Sequence, residues 1–300
     1  MDRADLPEAD FEEYRAQLRA VAYRLLGSLS EADDAVQETW LRLSRSDVSE
    51  VENLRGWLTT VVTRICLDML RARSARREYP LDGYVPDPIV TPVEEDPEQH
   101  AVLADSIGLA LLVVLDTLSP AERIAFVLHD IFAVPFDQVG SILDRSPAAA
   151  KQLASRARRR LRGSSSAGND VDYARQRVVA EAFDAASRAG DFDGLLAVLD
   201  PDVVLRADTG GDGPLGPSRL IRGAANVAAQ AQLYAGMARW AHPVLVNGAP
   251  GYLIAPNRKP FAVIAIATRD GKITEIHEHG DSAYAHRVFG FNPTQHLEPK

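Results

Sequence analysis

Between Tyr79 and Gln99 the chain cannot continue any regular helix. Pro80, Pro86, Pro88, Pro92 and Pro97 alternate there with Asp82, Asp87, Glu94, Glu95, Asp96 and Glu98. Each proline lacks an amide donor and turns the preceding residue away from the helical region, and the carboxylates repel one another. The stretch reads as a linker of roughly 20 residues that reaches about 60 Å when extended. A second break, GSSSAGND from Gly163 to Asp170, is small and polar. The chain of 300 residues is therefore expected to hold folded parts at 1–78, 100–163 and 171–300, joined by linkers at 79–99 and 164–170.

Hydrophobic residues make up 46% of the chain, ordinary for a globular protein. A lone cysteine, Cys66, excludes an internal disulfide and suits a reducing compartment. The start, MDRADLPEAD, lacks the basic and then apolar run of a signal peptide, and the apolar run Leu109 to Leu115 is too short to span a bilayer. A cytoplasmic location without membrane contact is expected.

The segment LSPAERIAFVLHDIFAVPFDQVGSILDRSPAAAKQLASRARRRL, Leu118 to Leu161, carries the periodicity of a helix-turn-helix. Ile124, Val127, Leu128 and Ile131 recur at helical spacing, and Val139, Ile142 and Leu143 mark a second short helix. Ser146 is a good N-cap, and Pro147 suits the first helical position. In the last helix Ala150, Leu153, Ala157 and Leu161 can pack inward, while Lys151, Gln152, Ser155, Arg156, Arg158 and Arg159 point elsewhere. No acid occurs from Arg145 to Arg162. Such a helix can enter a major groove, its front residues meeting base edges and its rear guanidiniums meeting phosphates. The plainer reading is a solvated helix whose late arginines suit its dipole. A net charge of -9 is awkward for a protein that grips DNA alone, because non-specific affinity is mostly phosphate neutralisation. A local basic patch on an acidic chain points to a larger partner that holds the protein on DNA.

From Phe11 to Arg45 two helices are expected, broken near Gly27, with Ser30 and Asp33 as a capping pattern and Val36, Trp40 and Leu43 as a buried stripe. Asp33, Asp34, Gln37 and Glu38 form an acidic patch in the opening turns of the second helix. Either they complement the helix dipole or they dock a basic partner. A further helix runs from about Trp57 to about Arg73 with Leu58, Val62, Ile65 and Met69 inward. Trp57, Thr60, Arg64 and Arg71 are roughly in line outside, followed by Arg73, Arg76 and Arg77. A ring beside guanidiniums suits a single strand whose bases stack and whose phosphates pair, unless Trp57 belongs to the core. Asn53 and Arg55, in the loop before, could hydrogen-bond an extruded base.

Four segments, EADDAVQETWLRL, GWLTTVVTRICLDMLRARSARR, LSPAERIAFVL and SPAAAKQLASRARRRL, together resemble regions two and four of the extracytoplasmic function (ECF) sigma factors, in order and at matching spacing. The resemblance implies that Asp33, Asp34, Gln37 and Glu38 dock on the β′ clamp helices of RNA polymerase core, with the β flap as a further core contact. It implies that Asn53, Arg55, Trp57 and Arg64 engage the minus 10 element as it melts, and that Lys151, Gln152, Ser155, Arg156 and Arg159 read the minus 35 element. The acidic linker resembles the segment that these factors thread through the RNA exit channel. Promoter DNA and core polymerase are then the partners, and no catalytic residue, metal or cofactor is called for.

Beyond Asp170 the pattern changes. Helices are expected at Tyr173 to Ala189, with Val178, Ala182 and Phe183 inward, at Phe192 to Leu199, and at Ala224 to Met237. Strands are expected at Val203 to Ala207, Pro243 to Val246, Tyr252 to Ala255, Phe261 to Thr268 and Ile273 to His279. Helices first and an antiparallel sheet afterwards give an α+β layer. That order, headed by GDFDGLLAVLDPDVVLRAD, resembles the SnoaL-like branch of the NTF2-like cone fold. The fold class expected overall is multidomain: two all-α sigma domains, a region 2 helical bundle and a region 4 helix-turn-helix, followed by an α+β cone. The combination resembles a SigJ-like subgroup of ECF factors, in which the extension modulates sigma activity in cis. Tyr84 to Ile89 resemble that subgroup's linker motif, and Asp208 to Asp212 part of its glycine-rich motif.

Cone folds often enclose a pocket. Asp208, Tyr234, Trp240, His242, Tyr252, His277 and His279 are candidates to line one, and His277 and His279, two apart on a strand, share a face. Two functions from different classes follow. One is a sigma factor regulated by its own extension; the alternative is a ligand-sensing or enzymatic cone domain, with a small molecule in its pocket, fused to a DNA-binding regulator. Only the first uses the acidic helix, the tryptophan helix and the acidic linker together.

Overall fold

Helix α1 (Leu6–Leu26) ends where Gly27 takes a φ of 74°, a left-handed conformation that glycine adopts without strain and that closes a helix C-terminus. In the computed structural model, residues 6–48, 51–75, 85–93, 108–162, 173–210, 216–233 and 235–280 are described. The chain divides into two compact units: Met1–Tyr79 with Val114–Gly163, and Pro80–Val113 with Ser164–Lys300. Among the described residues no helix is long and apolar enough to cross a membrane.

In the first unit, α1 packs with α2 (Leu29–Leu43) and α3 (Leu54–Ala75) around Phe11, Leu18, Val21, Leu25, Leu58 and Val62, all buried. Ser28, not Ser30, stands at the N-cap of α2, so the expected capping pattern was placed two residues late. Asp33 is thereby free of cap duty and pairs with Arg19, 2.6 Å away. Helix α3 starts three residues before Trp57, because Asn53 supplies a cap: its Oδ1 accepts the Gly56 N–H at 2.9 Å.

After α4 (Leu109–Leu115), the helix-turn-helix is built from α5 (Pro120–Phe126), α6 (Phe136–Leu143) and α7 (Pro147–Arg162), with α5 and α6 both packed on α7. A reciprocal capping box between Ser119 and Glu122 opens α5. Val127–Ile131 then form a π-helical turn. Its wider winding moves Ile131 off the expected stripe, and that residue is only half buried while Ile124, Val127 and Leu128 are fully buried. Asp144, at φ 54°, ends α6 in the left-handed region. The turn folds back so tightly that a Cβ on Gly140 would lie 2.7 Å from the Arg145 carbonyl oxygen and 3.2 Å from the Pro147 nitrogen. Both neighbours are backbone, so Gly140→Ala should destabilise the chain by about 1–3 kcal/mol, seen as a lower urea midpoint.

The second unit is a curved layer of helices on a sheet. Among the described residues the strands are β1 (Val90–Pro92), β2 (Leu199–Asp208), β3 (Arg219–Arg222), β4 (Ala241–Val246), β5 (Ala249–Ile254), β6 (Ala262–Arg269) and β7 (Lys272–His279), in the order β1-β4-β5-β6-β7-β2-β3. Helices α8 (Tyr173–Ala189), α9 (Phe192–Val198), α10 (Ala224–Leu233) and α11 (Ala235–Ala238) accompany it, with α8 against β5 and β6 and α10 against β2. Phe183, Leu195, Leu199, Val203, Val227 and Ile273 fill the space between. In α8 the inward stripe is Val179, Ala180, Phe183 and Ala186; Val178, expected inward, is 62% exposed. The sheet is mixed and not purely antiparallel, since β2 and β7 run parallel. Two hairpins turn on Asn247-Gly248 and Asp270-Gly271, all four at positive φ, the pairs that a tight two-residue turn demands.

Strand β1 corrects the reading of the linker. Val90, Thr91 and Pro92 pair antiparallel with Val246, Leu245 and Val244 at the sheet's edge. Just before, the Ile89 carbonyl accepts the Asn247 N–H at 2.7 Å, and the Ile89 N–H donates to Asn247 Oδ1 at 2.9 Å. The Val85 N–H donates to Asp208 Oδ2 at 3.2 Å. Prolines exclude helix but tolerate an edge strand, where a missing donor need not break a ladder. Of the apolar residues among them, Val85 and Val90 are buried, Ile89 is half buried and Val93 is exposed.

Candidate nucleic-acid interface

Helix α7 is fastened on one side and presented on the other. Ala150, Ala154, Ala157 and Leu161 are buried, Ala154 taking the inward place expected of Leu153, which is half buried. Ser146 Oγ accepts the Ala149 N–H at 3.3 Å, so the predicted cap and the proline start are as expected. The arginine run divides into two kinds. Arg158 grips Asp130 at 2.6 and 3.1 Å, which holds its pKa above the usual value, and Arg160 reaches Glu122 at 2.9 Å. Lys151, Gln152, Ser155, Arg156 and Arg159 are exposed. At 100° per residue they fall within about 140° of arc, the width of a face that can lie in a groove.

The acidic patch is likewise on one exposed side of α2, opposite Ala32, Ala35, Val36, Thr39 and Leu43. Asp33 is engaged by Arg19 and Glu38 by Arg42 at 3.0 Å, both on the surface; Asp34 and Gln37 are exposed. On α3, Arg55 and Arg64 are exposed and Trp57 is half buried. Trp57 and Arg64, seven residues apart, share a face. The carboxamide oxygen of Asn53 is occupied by the cap.

Sequence reasoning missed how the two helical regions of this unit meet. Arg123, 2% exposed, binds the Asp116 carboxylate and donates to the Arg24 carbonyl at 3.4 Å. The Arg24 guanidinium in turn lies over the Phe132 ring, 5.1 Å from its centroid. Arg64 donates to the Ser141 carbonyl of α6 at 3.2 Å. A charged residue at a buried helical position has no periodic signature, so only its partners reveal it.

The candidate pocket residues of the extension are corrected by strand parity. Tyr252 lines a cavity between the helices and the concave face of the sheet, and Ile276 and Glu278 are the β7 residues that face it. His277 and His279 share a face as expected, but it is the opposite one, where His277 Nε2 lies 3.1 Å from Glu275 Oε2. His242 alternates away from the cavity in the same manner, between Ala241 and Pro243, the partner of Tyr252. Trp240 packs beside the core with Arg239 over its ring at 4.1 Å. Asp208 holds the linker and the Gly210 N–H instead. Tyr234 and Asp212 lie outside the described residues.

Family models describe two parts of the chain: Sigma-70 region 2 over residues 11–76 and Sigma-70, region 4 over residues 108–161. The chain is 40% identical over 285 residues to the ECF RNA polymerase sigma factor SigJ of Mycobacterium tuberculosis (strain ATCC 25618 / H37Rv), covering 89% of each chain. It is 37% identical over 286 residues to a protein of Mycobacterium tuberculosis (strain CDC 1551 / Oshkosh) described as a probable ECF RNA polymerase sigma factor, SigI, covering 92% of this chain and 94% of that one. The crystal structure of Mycobacterium tuberculosis SigJ superposes with a TM-score of 0.75 at 36% identity, over 92% of this chain and 97% of that chain.

Proposed function

Because this chain belongs to the ECF sigma factors of the sigma-70 family, we propose that its extension regulates initiation in cis by holding the linker between regions 2 and 4. As a sigma factor it directs RNA polymerase core to promoters, and the chemistry of RNA synthesis is the polymerase's. Its place of action is then the cytoplasm, where core polymerase and promoter DNA are met. The observation that carries the regulatory reading is β1: linker residues complete the edge of the extension's sheet. A linker held there is not available to run along the polymerase. The closed contact of Arg123, Arg24 and Phe132 supports the same reading, because promoter engagement needs regions 2 and 4 apart.

In the open state, Asp33, Asp34, Gln37 and Glu38 meet the β′ clamp helices and region 4 meets the β flap. Arg55, Trp57 and Arg64 engage the melted minus 10 element, with Asn53 acting chiefly by fixing the start of their helix. Lys151, Gln152, Ser155, Arg156 and Arg159 read the minus 35 element. The exposure of these five side chains within one arc of α7, beside arginines already tied down, favours this assignment. Run-off transcription with core polymerase tests it, comparing the full chain with Asp34→Ala/Glu38→Ala and with a chain ending at residue 162. The acid pair should cost most of the initiation, and the shortened chain should start at the same site at a changed rate. No promoter-specific product from the full or the shortened chain would refute the reading.

Arg156→Ala should weaken minus 35 binding by about 1–3 kcal/mol and relax preference at one base pair if the guanidinium meets a base edge. If it meets phosphate, affinity falls uniformly across sequences and the salt dependence becomes shallower. A promoter library scored with both proteins separates the two.

A further inference from the structure

The cavity of the second unit has a volume of about 90 Å³ and opens to solvent on one side. That is room for the apolar body of a small ligand and not for a large one. Its wall is mostly apolar, with Phe183, Leu205, Met237 and Ile264 among the lining residues. The polar groups on it are few. Asp184 and Glu278 are its carboxyls, joined by Ser187, Gln230 and the Tyr252 phenol, and among the described residues no lysine, arginine or histidine lines it.

Two of these groups are poorly served by the protein. Ser187 is 9% exposed, and its buried Oγ has no hydrogen-bond partner among the described residues. A buried hydroxyl left in that state costs about 1–3 kcal/mol, a cost that a ligand's donor or acceptor would remove. Glu278 has Arg219 beside it, but at 3.4 Å, and burial outweighs that attraction so that its pKa is raised. Asp184 is better held, with Arg188 at 2.7 Å.

We propose that this cavity binds a small apolar amine, its body among Phe183, Leu205 and Ile264 and its ammonium on the Glu278 carboxylate, with the Ser187 hydroxyl as a further acceptor. An ammonium in direct contact would complete the charge that Arg219 compensates only at a distance. A carboxylate ligand of the same shape would face the Glu278 carboxyl, on which Arg219 is already engaged, and binds more weakly than the amine. This is a binding proposal for the extension and does not depend on how the linker behaves.

Calorimetric titration of the full chain at neutral pH tests it with matched probes on two skeletons. These are 2-phenylethylamine, 2-phenylethanol and 3-phenylpropionate, and cyclohexylmethylamine, cyclohexylmethanol and cyclohexylacetate. On at least one skeleton the amine should bind tenfold or more tightly than its alcohol and its acid. Glu278→Gln should bring the amine down to the level of the alcohol, and Ala231→Phe, which fills the cavity, should remove binding of all three. Should Glu278→Gln melt much earlier than the parent, Asp184→Asn is read in its place, and there too the amine's advantage should shrink. Equal binding of amine and alcohol, preference for the acid, absence of binding at millimolar probe, or an amine indifferent to these substitutions each overturns the proposal.

Discussion

Loosening β1 with Thr91→Pro and Asn247→Gly should raise promoter-directed initiation severalfold, to a limit of about a hundredfold. The two changes act on the strand and spare the sheet. Asn247 sits at φ 51° in the β4–β5 turn, so glycine keeps the turn while removing the oxygen that accepts the Ile89 N–H. From the bond between Asn247 and Ile89, antiparallel alternation makes Thr91 and Leu245 the next hydrogen-bonded pair. Proline at 91 therefore deletes a ladder donor, whereas natural Pro92 opposes Val244 at a position where none is needed. Two hydrogen bonds at about 0.5–1.5 kcal/mol each shift the held-to-released equilibrium by about 1–3 kcal/mol, or roughly 5- to 150-fold. Hydrogen exchange over 85–93 reports release directly, and run-off transcription reports its consequence. Faster exchange with unchanged initiation would mean that holding the linker is not regulatory.

Arg123→Ala should cost about 3–5 kcal/mol of stability, because it strands the Asp116 carboxylate, whose side chain is 9% exposed. For a unit of this size that corresponds to a melting temperature lower by roughly 10–20 °C. The double change Arg123→Met/Asp116→Asn removes both charges and should recover most of the loss. Calorimetry of the three proteins separates a stranded charge from simple loss of packing, since packing loss would leave the double variant no better than the single.

Where chemistry follows local pattern, the sequence was legible. Pro147 behind Ser146, the alanines of α7 and the glycine at 27 each act through their own few neighbours, and each is found in its expected role. Buried Arg123 was not legible, because nothing in a periodic pattern separates a buried arginine from a solvated one. The extension's pocket failed by a single step of strand parity: His277 and His279 were rightly placed together, but Ile276 and Glu278 point into the cavity. The linker failed for another reason. Proline and acid content were weighed as local obstacles, whereas the partner that orders Val90–Pro92 lies about 150 residues further on, a pairing that local signals do not encode. The Asn-Gly and Asp-Gly pairs at 247–248 and 270–271 marked the hairpins, and with them the edge that β1 completes.

A seven-stranded sheet that takes its first strand from far upstream is unfinished when cut at residue 171. Expressed from there, the extension would present β4 as a bare edge, with the backbone groups of Val244 to Val246 unsatisfied and ready to recruit any extended chain. It would then be a sticky fragment in solution, prone to self-association. Yet that same edge makes it a receptor: a peptide spanning residues 85–93, supplied separately, has the means to complement the fragment and restore its solubility.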